Sequence, residues 1–180
     1  MIESLENRSQ KSAEWIYNLV EILRLQNNST WRSLVKTTTG KTATILLGDI
    51  SLQLQASKTK PLKVSINYPV EIDNYNFSCD AETIRDIIAG KVTLDQALLK
   101  NQVYLRGTFT DLQGISQLIK EILADTAINL QLQRHWEDFE EMWSSSSSLP
   151  YYSLDNQQTN YAELISMIPE DILNIEIISE

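Results

Sequence analysis

The chain has one cysteine and one histidine among its 180 residues. A single thiol, Cys79, excludes an intramolecular disulfide framework and any cysteine-rich zinc site, and it fits a reducing compartment. A single imidazole, His135, cannot supply the several ligands that zinc prefers. No stretch approaches the roughly 20 apolar residues of a membrane-spanning helix, because Glu, Arg or Gln interrupts each candidate within a turn or two. The opening MIESLENRSQKSAEW has early acids and no apolar core of the kind a secretory signal carries. We therefore expect a soluble, cytoplasmic protein, in which the Asn-x-Ser/Thr triplets at Asn7, Asn27, Asn28 and Asn76 are coincidental.

Basic residues are scarce in the last third. Residues 1–124 carry 14 Lys/Arg against 13 Asp/Glu, whereas residues 125–180 carry one Arg against 11 acids, so a net charge of −10 sits there out of −9 for the chain. Nucleic-acid binding needs clustered cations to displace counterions from phosphates, and the sequence shows no such cluster.

The remaining content reads as alternating periods. Trp15, Ile16, Leu19, Val20, Ile22 and Leu23 recur at three- and four-residue spacings and predict a helix over 12–25 that packs on a sheet. Asn27-Asn28-Ser29 breaks it. A first strand is expected over 31–37, a turn at Thr39-Gly40-Lys41, and one long second strand over 43–56, with Leu46, Gly48, Ile50, Leu52, Leu54 and Ala56 on one face. Strands over 62–68 and 75–79 follow, and four strands at short spacing predict a meander.

Asp80 is placed to cap a helix containing Ile84, Ile87 and Ile88, with Gly90 closing it. Thr93 and Gln96 have capping-box spacing for a second short helix that buries Leu94, Ala97 and Leu98. A strand over 102–109 places Val103, Leu105, Gly107 and Phe109 on one face. A helical pattern then runs from Leu112 through Leu118, Ile119 and Ile122 to Trp143, as one helix or two. The arrangement divides into an N-terminal helix (1–29), an α+β core (30–126), a C-terminal helix (127–143), and a Ser-rich linker with an acidic tail (144–180). Within that tail a helix is possible over 160–168.

The run FSCDAETIRDIIAGKVTLDQALLKNQVYLRG, residues 77–107, resembles the signature half of the sterol carrier protein type-two family. There a strand leads to a helix ending in Gly-Lys, a second helix carries Gln-Ala, and a strand ending in a basic residue and Gly follows. Gly90, Lys91, Gln96, Ala97, Arg106 and Gly107 stand in those places. Asn101 replaces the family's usual Gly before the last strand, and asparagine is the next best residue for a positive backbone angle. The resemblance implies an α+β fold: a five-stranded, mainly antiparallel sheet covered by helices on one face, with a helical C-terminal extension and an apolar tunnel that binds lipids. Fold alone does not settle function.

Residue by residue, helix faces Ile84/Ile87/Ile88, Leu94/Leu98 and Leu118/Ile119/Ile122 must be covered by strand faces such as Leu52/Leu54, Val64/Ile66 and Val103/Leu105. These side chains either fill the space or line a tunnel for a fatty acyl, sterol-like or other hydrophobic ligand. Gly40-Lys41-Thr42 mimics the end of a phosphate-binding loop, but Val35 stands where that motif needs Gly, so it reads as a hairpin turn. Cys79 reads as a small buried hydrophobe and His135 as an exposed or half-packed helical residue. With no paired base and nucleophile, neither an enzyme nor a cofactor is expected. Trp136, Phe139, Met142 and Trp143 form an aromatic stripe that either packs on its own domain or, with the acidic tail, binds a protein partner or a second copy.

Overall fold

The computed structural model describes residues 5–68, 74–144 and the backbone of 175–177. A long helix, α1 (Leu5–Gln26), is followed after a two-residue break by α2 (Ser29–Thr38). A hairpin of β1 (Thr42–Leu47) and β2 (Ile50–Ala56) comes next, then β3 (Val64–Asn67) and β4 (Phe77–Cys79). Two short helices, α3 (Ala81–Ile88) and α4 (Leu94–Leu99), precede β5 (Val103–Gly107). The helices α5 (Phe109–Ile128) and α6 (Leu130–Ser144) complete the body, and a short β6 (Ile175–Ile177) joins the sheet from the end of the chain. The expected helix over 160–168 and the Ser-rich linker lie outside the described residues.

Four expectations are corrected. Residues 31–37 are helical, because Asn28 caps the segment by accepting the Trp31 N–H at 3.1 Å, and Trp31, Leu34, Val35 and Thr38 then recur at helical spacing. The long second strand is a hairpin, β1–β2, in which Leu47 faces Ile50 across Gly48-Asp49. Gly48, with φ +60°, takes the first central position, which suits glycine in a type II′ turn. The turn shifts the parity of everything before it: Leu46 lies opposite Ser51 on the polar face, and Leu47, Ile45 and Ala43 join Ile50, Leu52 and Leu54.

The meander is also replaced. The strand order is β3-β2-β1-β4-β5-β6, so β4 does not pair with β3 but crosses to the far edge of β1 and runs parallel to it. With β6 parallel to β5 as well, the sheet is mixed rather than mainly antiparallel. Finally, Phe109 does not extend β5. Thr108 caps α5 there by a capping box with Asp111, and Phe109 is exposed in the first turn. The last helical pattern is two helices, parted at Asn129, whose side chain accepts the N–H groups of Gln131 and Leu132 and so starts α6.

The register gathers the apolar residues on one face. Ile50, Leu47, Cys79 and Val103 form one row across four strands, and Leu52, Ile45, Phe77 and Leu105 the next. On the other face the same strands carry Thr44, Gln53, Ser51, Ser78 and Tyr104. Three apolar clusters cover the first face. Ala13 and Ile16 of α1 pack with Ile50, Leu52 and Trp143. The helices α3, α4 and α5 pack on Cys79, Val103 and Leu105. Farther from the sheet, Ile22, Leu23, Leu34, Leu118 and Leu132 join α1, α2, α5 and α6. Asn101 takes φ +55° before β5, and Gly90 takes φ +71° after α3, both as the sequence predicts.

Candidate functional site

Twelve of the fourteen residues expected to line a tunnel are distributed over three apolar clusters. Leu94, Leu98, Val103 and Leu105 are buried together, with Ile84, Ile87 and Ile119 against them. Leu118 belongs with Ile122 to the helical cluster, and Leu52, Leu54 and Ile66 to the cluster under α1. Val64 and Ile66 face an open cleft of about 490 Å³ between α1 and the edge strand β3. Ala13, Glu14, Tyr17 and Asn18 of α1 form its other wall, with Ser65 on the floor. These α1 residues escaped the sequence reading, which followed only the helix face that packs inward. Their signal is Ala13-Tyr17, one turn apart beside the core stripe.

Small residues explain how α1 sits so low. Ser9, Ser12 and Ala13 are buried at spacings of three and four, so α6 and β2 approach closely, and the Ser12 hydroxyl donates to the Met142 sulfur at 3.9 Å. The aromatic stripe of α6 closes on that face. Phe139 is 1% exposed, Trp15 lies 4.9 Å from both Phe139 and Trp136, and Trp143 joins the Ile50/Leu52 cluster. The Trp136 indole N–H donates to the Thr126 hydroxyl at 3.0 Å and the Trp15 indole to the His135 carbonyl at 2.8 Å. The stripe thus packs on its own domain.

His135 is a correction: it is 5% exposed, not half-packed. Its ring stacks on Trp15 at 4.5 Å and 9°, and among the described residues its buried Nε2 has no hydrogen-bond partner. Burial pushes its pKa below the usual histidine value, against an opposing pull from Asp138. Cys79 is buried in the α3–α4–β5 cluster, as expected of a small hydrophobe. Burial, helped by Asp80, pushes its thiol up to about 12, far from a reactive thiolate. Thus thiol and imidazole belong to different clusters. Among the described residues no group of three His, Cys, Asp or Glu side chains is placed to hold a metal ion, and no helix is long and apolar enough to cross a membrane.

A second open cleft, about 400 Å³, lies on the outer side of α2. It is lined by Asn27, Trp31, Arg32, Val35, Lys36, Thr39 and Lys60, none of which the sequence reading selected, because it took this segment for a strand. No known protein family, curated protein or solved structure matches the chain.

Proposed function

We propose that the chain is a non-catalytic binder of a hydrophobic small molecule, lipid-like in character, and that the ligand lies along the groove between α1 and β3. The cleft of about 490 Å³ carries this reading, because its size falls in the range of small-molecule sites and its long walls are Ala13, Tyr17, Val64 and Ile66. Its few polar groups, Glu14, Asn18 and Ser65, suit loose specificity, with affinity from apolar burial at about 25 cal/mol per Å². The likeness of residues 77–107 to sterol carrier domains supports the same class of ligand.

Native mass spectrometry of freshly purified protein, followed by organic extraction, tests it. A stoichiometric apolar molecule is expected on the parent chain and its loss in Tyr17→Glu, which puts a charge on an exposed wall of the groove outside the three apolar clusters. Clean parent protein that also ignores added fatty acids and neutral lipids overturns the reading.

A second reading, a ligand-free interaction module, has one observation in its favour: the tail's strand β6 lies on the edge of β5, so that edge accepts an added strand.

A further inference from the structure

The cleft outside α2 has a different chemistry from the groove under α1. Trp31 and Val35 are one turn apart, as are Arg32 and Lys36, so apolar and cationic pairs run side by side along the helix. Lys60 comes from the β2–β3 connection. That connection is held to the end of α2 by backbone bonds: Gly40 N–H donates to the Ser57 carbonyl at 3.1 Å and Ala56 N–H to the Lys41 carbonyl at 2.9 Å. A remote cation, Lys60, thus meets the Arg32/Lys36 pair round one hollow, a cluster that the sequence alone does not show.

Among the described residues no Asp or Glu lines the cleft, and Arg32, Lys36 and Lys60 form no ion pair. By contrast, Arg8, Arg24, Lys41 and Lys91 are each paired with a carboxylate. Like charges gathered without a counter-ion repel one another, and a bound anion removes that cost. Among the described residues its apolar walls are Val35 and Trp31, the latter half-buried against the helical cluster; these are too few to enclose an alkyl chain, but the exposed part of an indole accepts a flat ring. We propose that this cleft binds a small planar anion, an aromatic ring bearing a carboxylate or phosphate, with the ring against Trp31 and the charge among Arg32, Lys36 and Lys60. The site shares no residue with the α1–β3 groove and stands or falls separately from it.

The test is titration of the full chain with 1-naphthyl phosphate and 1-naphthoate, followed by calorimetry and by amide and indole N–H shifts. The uncharged 1-naphthol and inorganic phosphate serve as comparators. One of the two naphthyl anions is expected to bind at least tenfold more tightly than either comparator, to shift the Trp31 indole and amides 31–39, and to weaken with added salt. Lys36→Gln/Lys60→Gln changes two exposed side chains and so leaves the fold intact; it is expected to weaken that anion at least tenfold and 1-naphthol by less than twofold. Anions that bind no better than both comparators, shifts confined to other elements, or a double variant equal to the parent would each overturn the proposal.

Discussion

Asn76 serves two strands at once. Its N–H donates to the Thr44 carbonyl at 2.8 Å, and its side-chain oxygen accepts the Thr44 N–H at 2.9 Å. On the opposite side its carbonyl accepts the Arg106 N–H at 2.8 Å and its Nδ2 donates to the Arg106 carbonyl at 3.3 Å. Asn76→Ala strips the Thr44 N–H of its acceptor, so we expect a loss of about 1–3 kcal/mol in urea unfolding. His135 carries a different signature. Its folded pKa lies below the unfolded value, so the unfolded chain takes up the proton first. The stability this gives is complete above the unfolded value near 6.5 and is lost as pH falls through the lowered one. Between pH 7.5 and 5.5 the parent is expected to lose stability, and His135→Gln to lose less over the same interval; parallel curves would sink the assignment. Neither role is legible in the sequence. An asparagine directly ahead of a strand and a lone histidine in an acidic helix gain their partners only from elements remote in the chain, β1, β5 and α1.

At the scale of elements, capping and turn chemistry were readable where they were local. The Asp80 cap, the Thr93/Gln96 box and the positive angles at Gly90 and Asn101 stand where the sequence puts them. The α2 segment looks like a strand in the sequence because its β-branched and aromatic residues favour strands, while the deciding Asn28 cap lies just outside it. The β1–β2 hairpin looks like one long strand in the sequence because an apolar alternation runs unbroken through Gly48-Asp49, so nothing but the glycine signals the reversal. At the other end of the sheet, β6 covers the outer edge of β5. Because Arg106 N–H points to Asn76, strand alternation turns the N–H groups of Leu105 and Gly107 toward β6. Ile175→Pro/Glu176→Pro removes donors of either parity from β6. Hydrogen exchange at Leu105 and Gly107 is then expected to quicken at least tenfold while Arg106 keeps its rate. Unchanged exchange at all three would show that β6 does not guard the edge.

On the scale of the whole molecule, α+β architecture and the one-sided apolar sheet were accessible from period alone, since parity fixes which strand residues share a face. The order of strands was not, because a parallel joint between β1 and β4 leaves no local mark in either. The opposed apolar faces were also found without revealing how they divide. Three clusters take up twelve of the fourteen expected lining residues unevenly, and the open clefts lie at their margins, beside α1 and α2. Charge shows the same limit: the acidic last third is plain in the sequence, whereas the Arg32/Lys36/Lys60 cluster exists only once Lys60 is folded against α2.

The joint between β1 and β4 also divides the sheet by assembly history. Antiparallel partners β1, β2 and β3 are near neighbours in sequence, as are β4 and β5 across two short helices, so each group closes small loops. Ile45–Phe77, Leu46–Ser78 and Leu47–Cys79 form the three-rung seam between them, and it closes a span of 32 residues. Loop closure costs more for this seam than for the hairpins on its β1 side, so we expect it to form after them. If it is already zipped at the barrier, Asn76→Ala slows folding more than it hastens unfolding, and a rate-versus-urea chevron reads out which limb moves.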